Sequence, residues 1–243
     1  MLFISLSMML CLSACSDGAA SSETSSVQAE STDLQEVSEK DILSENETDV
    51  SVSDNDNIEN QDETNSESAS KILVAFFSRT GENYGVGVIE KGNTHIIADM
   101  IAEEMNADTF EIVRVKPYPE VYRDCTDEAQ EEKTANARPE LTAAVENFDD
   151  YDTIFLGYPN WWGDMPMPVY TFIESYDFSG KTVVPFCTHA GSGLSGTVRT
   201  LQDKLENAEV LDRFEIAGTT AQNDQDEAKE AVLSWLEELD IIK

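Results

Sequence analysis

Apolar positions along this chain fall into short blocks separated by polar stretches, and successive blocks alternate in period. Ile72-Leu73-Val74-Ala75-Phe76-Phe77 is a continuous apolar run, as in a strand buried on both faces. Residues 78–92 are polar and contain Gly. Over residues 94–105, Ile97, Ile101 and Met105, with Ala98 and Ala102 beside them, follow the helical period. Asn93 or Thr94 is the expected N-cap. The pattern then predicts a strand over 109–115 and a charged helix over 121–145, interrupted at Pro139. A buried strand over 153–158, a short helix over 168–176 and a strand over 182–187 follow. A helix over 194–205, a strand over 210–216 and an amphipathic helix over 227–239 complete the pattern. Strands alternating with helices predict an α/β domain of three α/β/α layers, a doubly wound five-stranded parallel sheet covered on both faces. Right-handed crossovers then fix most of the topology.

The first 70 residues follow other rules. Residues 2–12 form an apolar run of signal-peptide length, too short to span a bilayer as a stable helix. It ends in Leu12-Ser13-Ala14-Cys15, which resembles the lipobox of bacterial lipoproteins. That resemblance implies diacylation of Cys15 in a signal peptide covering residues 1–15, and anchoring to the outer face of the cytoplasmic membrane. Two acyl chains suffice for stable anchoring where one does not. One feature departs from the pattern: no Lys or Arg precedes the run.

Residues 16–70 carry 16 acids and one Lys, Lys40, with no aromatic residue and no Gly after Gly18. Such a segment cannot bury enough apolar surface to offset its ordering entropy. It is expected to be a disordered, self-repelling tether. Residues 71–243 are one domain long and form the expected folded unit.

The formal net charge of the whole chain is −34. Phosphate binding along a nucleic acid needs clustered Lys and Arg, so no nucleic-acid partner is expected. The acid also disfavours peripheral binding to anionic lipid. It either keeps the protein soluble or steers a basic partner. The cysteines are Cys11, Cys15, Cys125 and Cys187, and the histidines are His95 and His189. Their spacing matches no zinc or iron–sulfur pattern, so no metal is expected. Cys187 reads as a small buried residue and Cys125 as a free, inert thiol.

In open parallel sheets, ligands sit at the carboxyl ends of the strands, beside the reversal in strand order. Three loops there carry the candidate chemistry. The first holds Ser78, Arg79 and Thr80 at one end and Asn93 and Thr94 at the other. Hydroxyls, an amide and backbone N–H groups before a helix suit a phosphate monoester. Arg79 and Lys91 are the nearby cations. The loop has neither G-x-x-x-x-G-K-[ST] nor G-x-G-x-x-G, which excludes the corresponding nucleotide folds. The second loop holds Pro159, Asn160, Trp161, Trp162 and Gly163. Adjacent exposed Trp side chains call for a planar partner or a core. The third holds Thr188, His189, Gly191, Ser192 and Gly193, where Gly permits close backbone approach.

Taken together these loops resemble the flavodoxins, whose phosphate loop reads Ser/Thr-x-Thr-Gly-Asn-Thr after the first strand. Residues 81–92 then look like an insertion. A loop with Gly-Glu-Asn-Tyr followed by Gly-Asn-Thr is similar to those of flavodoxin-like proteins from anaerobic Gram-positive bacteria. The resemblance implies strand order 2-1-3-4-5 and FMN as cofactor, with phosphate on the first loop. It implies an aromatic on the flavin ring from the second loop, Trp162 in preference to Trp161, with the other Trp in packing. The third loop takes the pyrimidine edge, where His189 either donates to the flavin, moves a proton or merely caps a carbonyl. Many flavodoxins have a Tyr in this loop and this chain does not. The implied function is electron transfer to a redox partner protein, with no catalytic side chain. The alternatives are an NAD(P)H-dependent FMN or quinone reductase on the same fold and a flavin-free binding lipoprotein.

Overall fold

The computed structural model describes residues 71–211 and 213–239. The signal peptide, the lipobox Cys15 and the tether expected over residues 16–70 lie outside the described residues.

The first element is β1 (Ile72–Phe76), followed by a hairpin of β2 (Gly81–Asn83) and β3 (Gly87–Ile89). Then come α1 (Asn93–Met105), β4 (Asp108–Glu111), α2 (Tyr122–Ala135), β5 (Thr153–Pro159) and α3 (Met167–Glu174). The chain continues through β6 (Thr182–His189), α4 (Thr197–Lys204), β7 (Glu209–Val210), β8 (Phe214–Ala217), α5 (Gly218–Asn223) and α6 (Gln225–Glu238). The main sheet runs β4-β1-β5-β6-β7, with β8 also on β6, and every pairing in it is parallel. This is the expected order 2-1-3-4-5, with the fifth position shared by two short strands.

Successive side chains on each central strand enter different cores. Leu73, Ala75, Ile154, Leu156 and Tyr158 pack on the face of α3 with Phe172 and Leu201. Val74, Phe76, Phe155, Val184 and Phe186 pack on the other face with α1 and α6. The period of two is thus present but hidden, because both faces are buried and every position is apolar.

Four expectations need correction. The helix expected over 121–145 ends at Ala135, where Asn136 adopts the left-handed conformation (φ 49°). The chain beyond Pro139 is extended, and Leu141 bridges Arg114 in antiparallel sense. The strand expected over 109–115 stops at Glu111, and the backbone of Val113 and Val115 bonds this returning segment instead. The helix expected over 194–205 begins at Thr197, whose hydroxyl donates to the carbonyl of Leu194.

The fourth correction concerns the strand expected over 210–216, which is broken, and Pro185 explains the break. Val183 O accepts from Leu211 N, so that residue's polar groups face β7 and β8. Two residues on, Pro185 faces the same edge and has no N–H to give. The ladder is interrupted there: β7 pairs with Thr182 and Val183, and β8 with residues 186–189.

Among the described residues no helix is long and apolar enough to cross a membrane.

Candidate functional site

The loops after β1, β5 and β6 converge at the carboxyl edge of the sheet. They border an open groove of about 380 Å³. Its walls include Asn93 at the start of α1, Pro159–Trp161, Thr188–Gly191, and Ala217–Thr219 where β8 runs into α5. The hairpin tip, Asn83–Gly85, and Tyr122 complete it.

Seven predicted residues therefore meet on one surface: Asn93, Pro159, Asn160, Trp161, Thr188, His189 and Gly191. Asn160 binds the loops together. Its Nδ2 donates to Gly193 O (2.6 Å) and Ser195 Oγ (2.9 Å), and its Oδ1 accepts from Gly163 N. The backbone N–H of Asn160 donates to Thr188 O at 2.8 Å. Gly193 and the adjoining N–H of Leu194 are held against the Glu215 carboxylate. Asn160, Gly163 and Gly193 thus fix the shape of the second and third loops.

The first loop is built differently from its sequence reading. The N-cap of α1 is Gly92, not Asn93 or Thr94, and Gly92 offers no side chain for capping. Ser78 Oγ supplies that function from across the loop, accepting from His95 N at 3.1 Å. This is the third N–H of the helix, the usual target of a capping oxygen. Thr94 is buried and shares a hydrogen bond with Thr188 Oγ1 at 2.8 Å, joining the first loop to the third. The Arg79 guanidinium donates to the carbonyls of Glu82, Pro119 and Glu120. Ser78, Arg79 and Thr80 border a separate cleft with Glu111, Tyr118 and Glu120.

The two tryptophans separate, but it is Trp161, and not the preferred Trp162, that borders the groove. Trp161 packs edge-on against Phe77 (5.4 Å) and Tyr118 (5.1 Å), and one part of it borders the groove. Trp162 is 56% exposed and lies on a smaller neighbouring cavity with Cys125. Trp162 and Gly163 both have positive φ, in a tight turn closed by reciprocal bonds between Trp161 and Asp164. Lys133 steadies the turn by donating to Trp162 O at 2.8 Å.

His189 Nδ1 accepts from Gly191 N at 3.0 Å, which places a ring proton on Nε2. Burial pushes the Cys125 thiol up to about 11 and also raises Cys187, so neither is poised as a thiolate.

Sequence reasoning missed Tyr84, Tyr122 and the segment 217–219. Gly218 was the available signal for the last of these, since a Cβ there would lie 2.3 Å from Asn93 Nδ2.

A model of the flavodoxin family matches residues 71–239, the whole span of the described domain. The chain belongs to the flavodoxin family. This flavodoxin resembles in structure a candidate flavoprotein of Bacteroides uniformis, with 30% identity and a TM-score of 0.57, over 70% of this chain and 99% of that one. A second candidate flavoprotein, from Bacteroides eggerthii, is 28% identical with a TM-score of 0.56, over 70% and 98% of the two chains. A Lactobacillus acidophilus flavoprotein solved in complex with FMN shares the fold at 21% identity and a TM-score of 0.50, over 65% and 98%. No curated protein matches the chain.

Proposed function

We propose that this flavodoxin binds FMN in the groove and works as an electron-transfer protein, anchored through acylated Cys15 on the outer face of the cytoplasmic membrane. The observation that carries the cofactor assignment is the Asn93 side chain. Asn93 lines the groove at the start of α1, and its buried Oδ1 has no hydrogen-bond partner in the protein. A buried amide left unpaired costs about 1–3 kcal/mol. A ribityl hydroxyl donating to it would remove that cost. The start of α1 favours the phosphate charge, and Trp161 offers an aromatic surface to the ring.

When bound, FMN supplies reversible one- and two-electron transfer. The chain's own residues bind and orient it. Asn160 and the Thr94–Thr188 pair hold the three loops in register, and His189 Nε2–H is a donor toward the groove. Ser78 and Arg79 act on the phosphate indirectly, by capping α1 and fixing the loop. The acidic surface suits a basic redox partner.

Titration tests this directly. The purified protein is expected to show flavin absorption, and Asn93→Ala should weaken FMN about tenfold, the usual loss for about 1.4 kcal/mol. A colourless protein that binds no added FMN overturns the assignment. Stopped-flow reduction by NADH or NADPH, at turnover rates, overturns the carrier role in favour of a reductase. The anchor has its own test. Cys15→Ala should move the protein out of the membrane fraction, and unchanged detergent-extractable association overturns it.

A further inference from the structure

The segment from Gly81 to Gly92 interrupts the phosphate loop, and it is a fixed structure. Its strands β2 and β3 pair in antiparallel register, Gly81 with Ile89 and Asn83 with Gly87. Arg79 clamps its base to the carbonyls of Pro119 and Glu120, and Glu82 N donates to Glu120 O at 2.9 Å. The Glu82 carboxylate accepts from Tyr122 N at 2.8 Å, at the first turn of α2. An anion at that position also complements the helix dipole. At the tip, Gly85 lies against Thr219, where a Cβ would approach the methyl group to 3.4 Å. The hairpin therefore reaches across the groove from the start of α2 to the start of α5.

Its tip carries Tyr84, which is 64% exposed despite this anchoring. The ring lies 6.1 Å from that of Tyr122, tilted by 43°, and both border the groove. The groove's other aromatic, Trp161, already spends its edges on Phe77 and Tyr118. Trp162 lies outside the groove, and the third loop contributes only an imidazole. A large ring held in place with most of its surface in water is short of a planar partner.

We propose that the inserted hairpin presents Tyr84, backed by Tyr122, as an aromatic wall of the flavin site, in place of the aromatic that the third loop lacks. The inference rests on the flavin reading of the groove. The contact is with the ring system, so it is indifferent to the phosphate. That separates it from the phosphate contacts of the first loop.

The test titrates the full-length protein and its variants with FMN and with riboflavin, following flavin fluorescence. Tyr84→Ala should weaken both flavins by the same factor, about three- to tenfold, the range for one aromatic pair. Emission from the bound flavin should rise, because a stacked phenol quenches it. Tyr84→Phe should restore affinity and leave the emission raised. Tyr84 is exposed at a tip, so an unchanged thermal midpoint is expected in both variants and certifies the fold. Unchanged affinity for both flavins in Tyr84→Ala overturns the proposal. So does a loss confined to FMN, which would put the tip on the phosphate. A wild-type protein that binds neither flavin overturns the underlying reading as well, and the two failures are thereby distinct.

Discussion

Replacing Arg114 with Ala is expected to lower the unfolding free energy by up to about 3–5 kcal/mol, the cost of breaking a buried ion pair by removing one partner. The Arg114 side chain is only 6% exposed, and its guanidinium donates to Glu128 and to Glu132 (2.9 Å). It also lies 3.9 Å over the ring of Tyr118, which donates to Glu132. Burial opposes the charge on Arg114, but its hydrogen bond to Glu128 and the nearby Glu132 carboxylate outweigh it and its pKa stays raised. Burial likewise opposes ionisation of Glu128, yet the bonds from Arg114 and Lys116 hold its pKa below the usual carboxylate value. A depressed folded pKa gives stability that is present above the unfolded value, about 4.3 for Glu, and is lost as pH falls through the folded one. The variant loses that contribution and leaves Glu128 and Glu132 without their guanidinium partner. The gap between wild type and Arg114→Ala should therefore be widest near neutral pH and narrow on acidification below the ordinary Glu pKa. Urea unfolding at several pH values measures it. A gap that stays constant, or widens in acid, would show that lost packing dominates over charge. Tyr118 also braces Trp161, so flavin affinity should fall in the same variant. Adding Glu128→Gln and Glu132→Gln should recover stability before it recovers binding.

The sheet was legible because its strands are buried on both faces and read as unbroken apolar runs. Order 2-1-3-4-5 followed from the alternation of elements and the family resemblance. Element ends were less legible. Asn136 stops α2 through a left-handed φ, which a sequence offers no way to distinguish from an ordinary polar helical position. The split between β7 and β8 had a visible cause in Pro185. Its effect depended on which edge the missing N–H faced, and only the register of β6 decides that. The site was legible as three loops, and not as roles. Ser78 and Arg79 have the chemistry of phosphate ligands, but a hydroxyl or guanidinium serves equally well for backbone groups brought near by tertiary structure. Thr94 illustrates the same limit, since its partner Thr188 is far away in the chain and belongs to another loop. Tyr84 stands in the loop motif that carries the resemblance, but its place on the groove was out of reach, because the hairpin's anchoring relies on carbonyls of residues 119 and 120.

Gly92→Ala is expected to destabilise the protein by about 1–3 kcal/mol, the range for forcing atoms into filled space, and to weaken FMN by at least about tenfold. Backbone strain is not the reason. Gly92 has φ −69° and ψ 155°, which any residue adopts. Space is the reason. A Cβ there would lie 2.2 Å from Ser78 Oγ, 2.6 Å from Arg79 O and 2.9 Å from Arg79 N. Ser78 can yield only by giving up its bond to His95 N, which uncaps α1. Arg79 can yield only by moving backbone that its own side chain ties to Glu82, Pro119 and Glu120. Either adjustment displaces the start of α1, and Asn93 with it, from the groove. Gly196 provides the matched control. It too is the N-cap of a helix without a side-chain cap, but nothing lies within 4 Å of its Cβ position. Gly196→Ala should cost under about 1 kcal/mol, the usual penalty of Ala at an N-cap, and leave flavin binding intact. If the two variants lose stability equally, the effect belongs to N-caps in general. If Gly92→Ala loses stability while FMN affinity stays at the wild-type value, the cradle formed by Ser78, Arg79 and Gly92 does not position the cofactor, and the indirect role given to it fails.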